Sequence, residues 1–131
     1  MLAVAHVLGM MMALFAVTFL MPLVSALIFQ DGTFDDFAVA AGINVVVGLA
    51  LASLTRRHKR ELKARDGFLL VTLSWVLMSA SAAVPLMIAL PGLSFTDAYF
   101  EAMSGLTASG GTVLVGLDDM PLSINVWRCL L

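Results

Sequence analysis

Ser94-Phe95-Thr96-Asp97-Ala98-Tyr99-Phe100-Glu101-Ala102-Met103-Ser104-Gly105-Leu106-Thr107-Ala108-Ser109-Gly110-Gly111-Thr112-Val113 is the stretch on which the fold turns. Pro91-Gly92 breaks whatever helix precedes it, and Ser94 to Asp97 has the spacing of a capping box. In such a box the Ser94 hydroxyl takes the Asp97 backbone N–H, and the Asp97 carboxylate reaches back to the Ser94 N–H. Phe95, Tyr99, Met103 and Leu106 then fall on one stripe of a helix that ends before Gly110 and Gly111. At 1.5 Å per residue a helix of about 12 residues covers roughly 18 Å, half a membrane. The Thr107–Val113 run that follows is small and polar. Non-helical backbone at membrane depth survives only where protein buries it or where it lines a water-filled cavity. A half-helix followed by a Gly/Thr-rich extended strand is how a selectivity filter is built, with backbone carbonyls replacing a cation's hydration shell. Gly110 permits backbone angles that turn consecutive carbonyls to one side, and the helix aims its negative dipole end at the ion path. By composition alone, the same cluster also fits an ordinary external loop.

What flanks the stretch decides between those readings. Of the 131 residues 61% are hydrophobic and 12% charged, too apolar for a soluble domain of this size. Three uncharged runs, Ala3–Ile28, Phe37–Thr55 and Gly67–Leu90, are long enough to cross a bilayer as helices. Pro22 and Pro85 sit near the ends of the first and third, where a bend or terminal break is tolerated. A new apolar segment begins near Leu122. Helix, half-helix, glycine strand and helix in that order form the repeating unit of potassium-selective pores. The expected class is an all-α membrane protein with a re-entrant half-helix and filter strand.

Six of the seven basic residues, Arg56, Arg57, Lys59, Arg60, Lys63 and Arg65, lie between the second and third runs, whereas Asp31, Asp35 and Asp36 lie between the first two. The positive-inside rule puts the basic loop in the cytoplasm. The amino terminus is then cytoplasmic, the acidic loop lies outside, and the half-helix enters from outside. The first run has no Lys or Arg before it and exceeds the apolar core of a signal peptide, so it reads as a retained helix.

Other classes fall away. A net charge of −2 offers no basic field for nucleic acid. Cys129 stands alone, and His6 and His58 have no metal-binding spacing. A serine hydrolase built on Ser104 or Ser109 needs a base within reach of the serine, and both histidines are assigned to the cytoplasmic side. The expectation is no enzyme and no cofactor.

The sequence resembles the TrkH-type membrane subunits of the bacterial Trk/Ktr potassium-uptake family. The residues that carry this are Arg65-Asp66-Gly67-Phe68, Trp75, the run Phe95 to Gly110, and Asp118, Pro121, Trp127 and Arg128. The resemblance implies a fold of four non-identical helix–pore–helix repeats around one pore in the bacterial cytoplasmic (inner) membrane. It further implies K⁺ as the transported ion, a homodimer, and a cytosolic nucleotide-binding regulatory ring of the TrkA type. Residues 1–60 match the leading pair of helices and 61–131 the first repeat, cut at the start of its second helix. The chain is thus expected to be an amino-terminal fragment that needs three further repeats to conduct. Filter backbone would be Thr107, Ala108, Ser109, Gly110 and Gly111, with Gly110 on the family's filter glycine. Thr107-Ala108-Ser109-Gly110-Gly111 departs from the family's frequent Thr-Thr-Thr-Gly-Ala.

Two readings stay open for the acids of the half-helix. Asp97 and Glu101, one turn apart, form either a negative outer vestibule, or a cap (Asp97) and a hydrogen-bonding strut behind the strand (Glu101). Asp118 and Asp119 read as a solvated outer loop. Asn44 reads as an interhelical hydrogen-bonding residue, and Gly42 and Gly48, near Ala41 and Ala52, as sites of close helix approach. Trp75 is expected to be structural, Trp127 an interfacial anchor, His6 a membrane-interface residue, and the methionines apolar packing. The competing whole-chain reading is a small non-conducting membrane protein acting through helix–helix contacts.

Overall fold

The structure, a computed structural model, describes residues 2–56 and 63–131. Most of the basic loop, with His58 and the boundary at 60/61, lies outside the described residues. Three spans are long and apolar enough to cross a membrane: Leu2–Phe29, Phe34–Thr55 and Ala64–Ala89. The first consists of α1 (Leu2–Phe15), a 3₁₀ turn (Ala16–Phe19) and α2 (Leu20–Phe29). Pro22 causes that interruption: it has no N–H for the Thr18 carbonyl and its ring crowds it. Pro85, by contrast, is carried inside α4 (Ala64–Ala89), which runs four residues past it. The helix α3 (Phe34–Thr55) starts earlier than the apolar run, taking Asp35 and Asp36 into its first turn, where the helix dipole favours negative charge.

Lipid offers no hydrophobic drive between helices, so close packing of small residues has to supply it. At the crossing of α1 and α3, a Cβ added to Gly48 would lie 2.7 Å from the Ala13 backbone N, and one on Gly9 2.6 Å from that of Ala52. The expected close approach is met at Gly48, with Gly9 as its unforeseen partner; Gly42 faces open space. His6 Nδ1 lies 2.8 Å from the Ala52 carbonyl oxygen at the same crossing, which gives that residue a partner between helices. Asn44 overturns its expectation: it is 2% exposed, and neither amide atom has a hydrogen-bond partner among the described residues.

A half-helix, α5 (Phe95–Leu106), lies against α4 and is followed by non-helical chain, a short 3₁₀ turn (Leu117–Asp119) and α6 (Leu122–Leu130). Trp127 of α6, expected at the membrane interface, is fully buried. Its ring centroid is 4.5 Å from that of Phe19, 6.0 Å from Phe37 and 6.2 Å from Phe15. The indole N–H donates to the Ala82 carbonyl of α4 at 3.1 Å. That bond removes the indole's need for water, so the large ring becomes the centre of the core. Trp75, by contrast, is 44% exposed on α4.

The amino end of α6 is held by a residue far away in sequence. Pro121, its N-cap, gives no side-chain cap, and the Asp31 carboxylate accepts the Ser123 backbone N–H at 2.9 Å. Asp31 also accepts the Thr33 hydroxyl at 2.8 Å, and that hydroxyl meets the Ser123 hydroxyl. The α2–α3 turn and the start of α6 therefore share one side of the molecule.

Two tests follow from these contacts. Gly48→Leu should cost about 1–3 kcal/mol through overpacking against the α1 backbone, whereas Gly42→Leu should be near neutral; thermal melting in detergent compares them. Partial burial pushes the Asp31 carboxyl up, but the hydrogen bonds from Ser123 and Thr33 outweigh it and hold the group below its ordinary value of 3.8. A depressed carboxyl stabilises the fold above its unfolded pKa and loses that contribution as pH falls through the folded one. The difference in melting temperature between the wild type and Asp31→Asn should therefore be constant from about pH 7 to 5 and shrink below about pH 4.

Candidate functional site

The half-helix ends as its sequence prescribes at one end and not at the other. At the start, the Ser94 hydroxyl accepts the Asp97 N–H at 3.1 Å. The Asp97 carboxylate takes the Ser94 hydroxyl proton at 2.7 Å, in place of the expected Ser94 backbone N–H. At the far end α5 stops at Leu106 as expected, but the stop is Ala108 and not a glycine. The Ala108 N–H donates to the Gly105 carbonyl at 2.9 Å and the Ser109 N–H to the Ser104 carbonyl at 3.0 Å, a Schellman cap. Ala108 adopts φ +53°, which for a residue with a Cβ costs about 1–2 kcal/mol. The expected stripe Phe95, Tyr99, Met103, Leu106 is not the most buried face. Ala98, Glu101, Ala102 and Ser104 are buried instead, because small side chains let α5 seat against Ala82 and Ala83 in the common core.

Beyond the cap the backbone alternates in handedness. Thr107 has φ −90°, Ala108 +53° and Gly110 +73°, with Ser109 and Gly111 outside the positive region. Among the described residues no hydrogen bond engages the carbonyls of Thr107, Ala108, Ser109 or Gly110. The Gly111 carbonyl differs, for it accepts the Ser104 hydroxyl at 2.6 Å. Thr107 caps its own helix, its hydroxyl donating to the Met103 carbonyl at 2.7 Å. The Ser109 hydroxyl lies 2.9 Å from that of Ser104. All of residues 107–112 are exposed. An added Cβ at Gly110 would touch nothing within 4 Å, so only its backbone angle demands glycine.

Glu101 stands behind this segment, with its side chain 5% exposed. Its carboxylate accepts the Thr112 hydroxyl at 3.0 Å, the Val113 backbone N–H at 3.1 Å and Arg128 Nε at 2.7 Å. Arg128 Nη2 adds a bond to the Thr112 hydroxyl at 3.2 Å, and Nη1 one to the Asn125 side-chain oxygen at 3.4 Å. Glu101 therefore has the geometry of a strut, while Asp97 sits in the cap and shares no bond with it. Arg128 was read from sequence only as part of the lead-in to the next helix. Its signal was available: a lone cation in an apolar segment needs an anion, and Glu101 is the half-helix acid one turn past the cap. Asp118 and Asp119 are exposed in the 3₁₀ turn, as expected. Cys129 is exposed. No group of His, Cys, Asp or Glu that could hold a metal ion occurs among the described residues.

Removing one partner of a buried ion pair leaves the other charge uncompensated, at a cost of about 3–5 kcal/mol. Glu101 is the more enclosed of the two. Arg128→Leu should therefore lower the melting temperature more than Glu101→Gln, whose amide still accepts from Thr112 or Val113. The double variant should recover part of the loss, read by thermal melting of the purified protein.

The family described as TrkH, cation transport protein, matches residues 35–131. The Trk system potassium uptake protein TrkH of Vibrio parahaemolyticus is 41% identical over 127 residues, covering 96% of this chain and 26% of that protein. TrkH of Halomonas elongata is 42% identical, covering 95% of this chain and 26% of the relative. TrkG of Escherichia coli strain K12 is 31% identical over the same shares. The crystal structure of the potassium transporter TrkH from Vibrio parahaemolyticus superposes with a TM-score of 0.90 at 40% identity, over 97% of this chain and 27% of that one. The chain spans about a quarter of the length of these relatives.

Proposed function

This chain belongs to the TrkH family of cation transport proteins, and from that membership we propose that it serves potassium uptake across the bacterial cytoplasmic membrane. In this reading it is the first quarter of a longer polypeptide. Residues 1–60 are a leading helix pair and residues 61–131 most of one helix–pore–helix repeat. The carbonyls of Thr107, Ala108, Ser109 and Gly110 form one of four filter strands and replace the hydration shell of K⁺. The observation that carries this is the alternating sign of φ along residues 107–111, with four consecutive carbonyls unengaged among the described residues. The names of the relatives, potassium uptake proteins, supply the ion. Gly111, proposed from sequence as a fifth contributor, directs its carbonyl to Ser104 and serves to tie the strand to the half-helix. Glu101 supports the strand and Asp97 caps α5, in preference to an outer vestibule.

The orientation follows the charge distribution: amino terminus and basic loop in the cytoplasm, acidic turn outside. The bond from Ser123 to Asp31 sets the start of α6 on the same side as the acidic turn, as a segment that enters and returns requires, and the charge distribution alone assigns that side to the outside. The other three repeats, a second copy of the chain and a cytosolic TrkA-type ring are the partners proposed. No enzymatic step is part of this function.

In the full-length polypeptide, Gly110→Arg should abolish rescue of a potassium-uptake-deficient bacterium on low-potassium medium while the protein still reaches the membrane. Undiminished growth would refute the filter assignment. Single cysteines at 107–110 should be protected from an external thiol reagent by K⁺. Reaction at an equal rate with and without K⁺ would favour the non-conducting helical protein instead.

A further inference from the structure

We propose that Asp31, in the turn between α2 and α3, is a positioning residue for the filter segment: it fixes the start of α6 so that Arg128 meets Glu101. The inference rests on the filter reading above.

The path is continuous. Glu101 holds the segment by the Thr112 hydroxyl and the Val113 N–H, and a carboxylate so enclosed stays where its counter-ion holds it. That counter-ion, Arg128, belongs to a different helix, and its position depends on how α6 is placed along and around its axis. Two contacts set this. Along the axis, Asp31 receives the Ser123 N–H in the first turn of α6, five residues or about 7.5 Å of helix before Arg128. Around the axis, Trp127 is locked among Phe15, Phe19 and Phe37 with its N–H on Ala82. The next residue is turned by about 100° from Trp127, which carries Arg128 off the packed face and toward Glu101.

The N-cap of α6 is Pro121, which has no capping side chain, and the other bond from this turn to the first turn of α6, between the Thr33 and Ser123 hydroxyls, comes from the residue that aims Asp31. Asp31 is itself aimed by two bonds from Thr33, through the backbone N–H at 3.3 Å and the hydroxyl at 2.8 Å, and Gly32 between them takes φ +79°. That turn lies outside the half-helix and its filter segment, yet it grips the helix that bears the filter's guanidinium. The leading helices thereby act on the geometry of a strand that they do not supply.

The experiment is uptake of ²²Na⁺ and of ⁸⁶Rb⁺, standing for K⁺, into proteoliposomes holding the full-length polypeptide. Asp31→Ala should raise the Na⁺/Rb⁺ uptake ratio by about fivefold, the lower end of ordinary coupling between sites. Asp31→Asn, which keeps one of the two acceptor oxygens that the turn uses, should restore the wild-type ratio only in part. Asp31→Ala combined with Glu101→Gln should shift the ratio no further than Glu101→Gln alone, because both act through one clamp. If Asp31→Ala does not fold, Thr33→Val, which removes both the hydroxyl that aims Asp31 and its bond to Ser123, must show the shift, and Ser123→Ala, which removes only the latter, must not. An unchanged ratio in the folded variants, with Gly110→Arg inactive, overturns this inference and leaves the filter reading standing. Uptake that survives Gly110→Arg overturns the filter reading, and this inference with it.

Discussion

Irregular backbone at the depth of a membrane has no water to satisfy its polar groups, and the rest of this structure is arranged around that constraint. The segment after α5 meets it with a single carboxylate. Glu101 takes a hydroxyl and a backbone N–H from the segment and is neutralised by a guanidinium from the following helix. Each part is expensive alone, because a buried carboxylate, a cation in an apolar helix and an unpaired N–H all lose hydration. Together they offset one another and tie three pieces of chain to one point. The caps of α5, the bond from Asp31 to α6 and the aromatic seat of Trp127 all set the distance between Glu101 and Arg128.

The packing that achieves this is inverted relative to a soluble protein. The interior holds alanines, glycines and serines at the helix crossings, with Ala82, Ala83, Ala98 and Ala102 all fully buried. Large apolar residues such as Leu14, Leu54 and Phe68 point outward and are mostly exposed, as suits a chain solvated by lipid tails. Close approach of backbones is what small residues provide. The exception is the aromatic cluster around Trp127, which fills the space where five of the helical elements converge.

Strain gathers near the segment. Ala108 accepts a left-handed backbone so that the Schellman cap can close, whereas Gly110 takes one two residues later without a steric cost. A glycine at 108 would relieve the cost there. Backbone strain persists where the surrounding bonds over-determine it, and here Ser104 and Glu101 bind the chain on both sides of the bend. Asn44, whose buried amide has no partner among the described residues, has no physical explanation in this structure.

The elements of the fold were legible in the residues because membrane helices announce themselves by length without charge. The half-helix was legible because Ser94 and Asp97 mark its start and 12 residues cannot span. The positive φ at Gly110 could be foreseen, since glycine is the residue that adopts it freely. What tertiary structure alone decided were pairings between distant residues. Arg128 with Glu101, Asp31 with Ser123, Trp127 with Ala82 and Gly9 with Gly48 depend on how helices cross, and no local pattern encodes a crossing. Trp127 shows the reason most clearly. An amphipathic indole near a helix start reads as an interface anchor, until a carbonyl on another helix takes its proton and makes the buried position the cheaper one.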